Sequence, residues 1–85
     1  MARERDALQY LAFVARIIRT GGRRVGQADE FELAELLALH DVVDEAIQIA
    51  IDGQREHGKS WAAIADATGT TRQGAQQRYG RRRSA

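Results

Sequence analysis

GKSWAAIADATGTTRQGAQQRYGRRR, residues 58–83, carries two short helical patterns parted by a glycine. Ser60 suits an N-cap, and Trp61, Ile64, Ala65 and Thr68 recur at helical spacing, which predicts a helix over 61–68 with that face inward. Gly69 turns the chain, Thr71 caps again, and a second helix is expected over 72–79. Gly80, Arg81, Arg82, Arg83, Ser84 and Ala85 read as a frayed end. Ala65 is small enough to let the two helices approach closely, and Gly69 can adopt the left-handed backbone that so short a turn requires. Ile64 and Ala75 are expected to supply the apolar contact between them.

Upstream, Leu8, Leu11, Val14, Ala15 and Ile18 recur at helical spacing, with Tyr10, Phe13 and Ile17 widening the stripe, so helix 1 is placed at 3–20. Gly21-Gly22 follows Arg16 and Arg19, a stop signal beside cations that suit a helix C-terminus. GGRRVGQ, residues 21–27, then reads as a connector, or as a basic arm able to reach a phosphate. Asp29 is a good N-cap with Glu30 and Glu32 behind it, and Leu33, Leu36, Leu37, Leu39, Val43, Ala46, Ile47, Ala50 and Ile51 carry a helical period onward. Helix 2 is placed at 29–57, about 44 Å if unbroken. Its apolar arc is wide enough to cover helix 1 on one side, while Ile47, Ala50 and Ile51 are expected beneath Trp61 and Tyr79. The fold expected is therefore all-α with four helices in a single domain: an N-terminal helical part at 1–40, a three-helix unit at 41–80 and a basic tail at 81–85.

A chain of 85 residues supports a core of two or three helices but not a deep catalytic cavity. It lacks cysteine and proline, which removes disulfides and cysteine-based zinc sites and fits a reducing cytoplasm. No apolar run approaches the roughly 20 residues that span a bilayer, so no membrane association is expected. The net charge of +1 conceals strong segregation. Residues 1–28 hold six Arg against two acids, residues 29–57 hold nine acids against Arg55, and residues 58–85 hold Lys59 and five Arg against Asp66. Two basic segments flank an acidic one, which suggests two basic surfaces separated by an acidic one, a more specific signal than the total.

The pattern Ser60, Trp61, Ile64, Ala65, Gly69, Thr71, Arg72, Gln73, Ala75, Arg78, Tyr79 resembles the homeodomain-like helix-turn-helix regions of small DNA-binding regulators from bacteria and their phages. The resemblance covers about the last 25 residues. It implies that the last helix enters the major groove of double-stranded DNA with its first turn against base edges. Thr71, Arg72, Gln73, Gln76 and Gln77 would then contact bases: Arg suits guanine and Gln suits adenine, each through paired hydrogen bonds. Lys59, Ser60, Arg78, Arg81, Arg82 and Arg83 would hold phosphates. The sequence departs from the family at Thr68 and Thr70, where an aliphatic pair usually seals the turn, and at Gly74, where a helix former is usual.

Other readings of the same residues point away from catalysis. Trp61 reads as a core anchor rather than a base-stacking platform, since no aromatic cluster accompanies it. His40 and Asp44 share a helix face and read as a surface ion pair, without further ligands at metal spacing. Asp41, Asp44 and Glu45 lack a nucleophile and base beside them, so neither enzyme activity nor a cofactor is expected. A lone reading helix offers few contacts, which favours a homodimer through Leu8, Leu11, Ala15, Ile18, Phe31, Leu33, Leu36 and Leu37. The function expected is that of a cytoplasmic transcription regulator. The alternative is a protein-interaction module, a phage or plasmid factor docking on a polymerase subunit or regulator, with the acidic helix 29–57 as a possible protein-binding face.

Overall fold

The computed structural model describes residues 2–80, with side chains from residue 6 onward, and its fold is all-α. α1 spans Ala2–Gly26, α2 Glu32–Glu56, α3 Trp61–Thr68 and α4 Arg72–Ala75, and α4 passes into a π-helical turn, Gln76–Gly80. The chain divides into two compact units, Met1–His40 and Asp41–Ala85, with the boundary inside α2. Among the described residues, no helix is long and apolar enough to cross a membrane.

α1 does not stop at Gly21-Gly22. It runs through the pair to Gly26, so the expected connector at 21–27 and the free basic arm give way to helix. A glycine inside a helix costs about 1 kcal/mol but forbids nothing, and only Gly58 and Gly69 have positive φ. A side-chain link also spans the pair. Thr20 Oγ1 donates to the Arg16 carbonyl at 3.0 Å and accepts from Arg23 Nη2 at 3.2 Å.

α2 begins at Glu32, two residues later than the Asp29 cap would place it. The carbonyls of Asp29 and Glu30 accept from the N–H groups of Glu32 and Leu33, both at 3.1 Å, so these residues form a tight i→i+3 turn ahead of the helix. At its other end, Gly58 at φ 90° makes a Schellman stop. The Lys59 N–H reaches back to the Gln54 carbonyl at 3.0 Å, and the Gly58 N–H to that of Arg55 at 3.0 Å.

The core lies in the second unit. Ile51, Ile64, Ala65 and Ala75 are buried together, and Trp61 and Tyr79 pack against them. Ile47 and Ala50, expected beneath the two aromatics, are instead exposed. α2 turns Gln48, Ile51 and Arg55 inward, and Gln48 is decisive because its amide donates to the Tyr79 carbonyl. Thr68, expected inward, is exposed, its hydroxyl donating to the Ile64 carbonyl at 2.8 Å.

The first unit differs in kind. Among the described residues, no side chain within 6–40 is buried. Leu8 is 69% exposed, Phe31 78% and Leu37 63%. The expected cover of helix 1 by the apolar arc of helix 2 is therefore not made within Met1–His40: the stripe and the residues meant to cover it both lie open.

Candidate nucleic-acid interface

The α3–α4 corner is specified residue by residue. Ser60 Oγ accepts from the Ala63 N–H at 3.0 Å and caps α3. α3 ends at Gly69, whose φ of 75° lies in the left-handed region, and the Gly69 and Thr70 N–H groups both reach the Ala65 carbonyl. Thr71 Oγ1 accepts from the Gly74 N–H at 3.0 Å and caps α4 two residues after the turn. Ala65 and Ala75, 3% and 1% exposed, are where the two helices close on the core, and a larger side chain at either would hold them apart.

The glycine at 74 inside α4, where a helix former is expected, has a local reason. A Cβ there would lie 3.0 Å from both Thr70 Oγ1 and Thr71 Oγ1, closer than ordinary contact. The threonine at 70 and the glycine at 74 are thus two halves of one packing arrangement.

α4 continues as a π turn, one residue longer than an α turn. It moves the position one turn beyond Ala75 onto Tyr79 and Gly80, which are half-buried, and leaves Arg78 exposed. Gly80 therefore belongs to the helix rather than to a frayed end. A Cβ on it would stand 3.3 Å from Trp61 Cζ2. The helix end is pinned by Gln48, whose Nε2 donates to the Tyr79 carbonyl at 2.9 Å and to Asp52 Oδ1 at 3.0 Å.

Arg55 braces the other side. Its Nη1 donates to the Lys59 carbonyl at 3.0 Å, and its guanidinium carbon sits 4.9 Å from the centre of the Trp61 ring, a cation–π contact across the Gly58 corner. His57 Nδ1 lies 2.7 Å from the Gly53 carbonyl, an acceptor only, so that nitrogen carries the proton. The apolar pattern of the sequence does not mark Gln48 and Arg55 as positioning residues. Their signal was present in the spacing: 48, 51 and 55 share a helix face that ends opposite the aromatic anchor.

Of the residues expected at bases, Thr71, Arg72, Gln73, Gln76 and Gln77 are all exposed on the helix that follows the corner. Thr71 spends its hydroxyl on the cap. Of those expected at phosphates, Lys59, Ser60 and Arg78 are exposed, with Arg78 5.6 Å from the Tyr79 ring centre. Arg81, Arg82 and Arg83 lie outside the described residues. Leu8, Leu11, Ile18, Phe31, Leu33 and Leu37 are exposed and Ala15 and Leu36 half-buried, all in the first unit. His40 and Asp44 are exposed, and among the described residues no group of three His, Asp or Glu is arranged to hold a metal.

Compared with models of protein families, with curated proteins and with solved structures, the chain matches none.

Proposed function

We propose that the chain binds double-stranded DNA through a helix-turn-helix formed by α3 and α4, and that it acts as a homodimeric transcription regulator in a bacterial or phage-infected cytoplasm. The observation that supports this most is the corner itself. A capped helix is held by its buried Ala75 and by Gln48 at its far end, while Arg72, Gln73, Gln76 and Gln77 are left on the exposed side. A rigid row of long donors and acceptors on a helix of groove-filling width is what major-groove readout requires. Lys59 and Arg78, with Arg81, Arg82 and Arg83 beyond them in sequence, supply cations for phosphates. Two copies would read half-sites about 34 Å apart, one helical turn of DNA.

The test is fluorescence anisotropy with selected and random duplexes at two salt concentrations. Binding is expected to weaken steeply with salt. Arg72→Ala is expected to relax base preference by roughly 1–3 kcal/mol at one position, while neutralising Arg81, Arg82 and Arg83 lowers affinity for all sequences alike. Equal loss from both changes would refute that division of roles. A second reading, docking on a basic protein, is favoured by the exposed acids Asp41, Asp44 and Glu45 of α2. Capture of such a partner with no duplex affinity at low salt would replace the first reading.

A further inference from the structure

We infer that the first unit is completed by a second copy of the chain, and that the contact is heterotypic: α1 of one copy lies on the segment 29–40 of the other. The inference specifies how the proposed dimer is joined, and so rests on that part of the reading but not on DNA binding. Its starting point is an imbalance of cores. The unit Asp41–Ala85 buries Ile51, Ile64, Ala65 and Ala75, whereas among the described residues Met1–His40 buries nothing. Leu8, Leu11 and Ile18 on α1, and Phe31, Leu33 and Leu37 on the other segment, stay open to water. Contiguous apolar surface above a few hundred Å² marks an interaction site. Two copies each contributing these side chains and their flanks come within reach of the roughly 800 Å² per partner that a stable dimer buries.

Charge decides which helix meets which. Residues 1–28 carry six Arg against two acids, and residues 29–40 carry Asp29, Glu30, Glu32 and Glu35 with no Lys or Arg. Among the described residues, Arg16 turns to the Phe13 ring and Arg23 to the Thr20 hydroxyl rather than to these acids. Pairing α1 with the partner's α1 would set arginines against arginines, and pairing 29–40 with itself would set acids against acids. Crossed pairing sets each against its opposite, and a two-fold axis makes the contact twice. Spacing agrees, since Leu8, Leu11, Ala15, Ile18, Gly22 and Val25 follow alternate steps of three and four, the seam of a helix that packs along another.

Sedimentation equilibrium on the full chain tests this without any substitution. Crossed pairing predicts a dimer whose dissociation constant rises with salt, because screening removes attraction. Like-charged pairing predicts the opposite sign. Variants then locate the contact. Arg16→Glu, Arg19→Glu and Arg23→Glu together, or Glu30→Lys, Glu32→Lys and Glu35→Lys together, are each expected to weaken self-association by roughly tenfold or more. An equimolar mixture of the two is expected to return to dimer mass, since each chain then offers what the other needs. Trp61 emission reports whether the second unit of each variant remains folded. A dimer that tightens with salt, or one that either variant leaves unchanged, overturns crossed pairing while leaving a dimer in place. Variants with native Trp61 emission whose mixture stays monomeric overturn it too. A wild-type chain that is monomeric at about 100 µM removes the dimer itself, far above the micromolar range in which such an interface associates.

Discussion

Gln48 spends both hydrogens of its amide nitrogen, one on the Tyr79 carbonyl and one on Asp52 Oδ1, in a position that is almost fully buried. The carbonyl it satisfies lies in the π turn, where the regular i→i−4 ladder is interrupted. Removing the donor leaves a part-buried acceptor without this partner, which costs about 1–3 kcal/mol. Gln48→Leu is therefore expected to lower stability by that amount. Gln48→Glu is expected to lower it further at neutral pH, because a carboxylate cannot donate and would face both a carbonyl and Asp52. Urea unfolding followed through Trp61, the chain's single tryptophan, measures both. Equal stability of wild type and Gln48→Glu would mean that this amide does not hold the π turn that follows α4. Polarity hid Gln48 from a reading by apolar pattern: Ile47 and Ala50 look like better core residues, yet only a side chain with a donor can meet an orphan carbonyl.

At the scale of the element, one residue type plays opposite parts. Gly58 and Gly69 have positive φ and end helices, while Gly53 lies within α2 with nothing inside 4 Å of a would-be Cβ. Gly69→Ala is expected to destabilise by about 1–2 kcal/mol, the penalty of left-handed backbone for a residue with a Cβ. Gly53→Ala is expected to stabilise by about 0.8–1 kcal/mol from helix propensity. Thermal unfolding monitored by circular dichroism distinguishes the two signs, and a stabilising Gly69→Ala would contradict the left-handed corner. The same contrast explains what could be read from the sequence. The α3 boundaries were legible because cap, apolar face and glycine agreed at Ser60, Ile64 and Gly69. The end of α1 was not, because Gly21-Gly22 lies about one turn before the helix end and a propensity loss of that size is offset by the Thr20 link. The π turn was illegible for a third reason: its register follows from Trp61 meeting Gly80 and Gln48 meeting Tyr79, contacts between residues far apart in sequence.

For the whole molecule, the proposed pairing implies that its two units draw their stability from different sources. The second has a small core of its own, so its folding is unimolecular and its Trp61 signal should not depend on protein concentration. The first has helix without burial among the described residues. Most helical stability in a protein comes from packing of an apolar face rather than from propensity, and α1 also carries Gly21 and Gly22 in its interior. On the proposed pairing, helix in α1 is sustained by association, and mass action makes that support depend on concentration. Diluting the protein from about 100 µM to about 1 µM, across the range in which a micromolar dimer dissociates, is expected to lower the far-ultraviolet helix signal while Trp61 emission holds constant. On heating, two transitions should appear, the earlier one moving up in temperature as concentration rises and the later one fixed. A single transition independent of concentration, seen alike by both probes, would show that residues 2–40 are stable without a partner, and the open apolar faces of Leu8, Phe31 and Leu37 would then need another explanation.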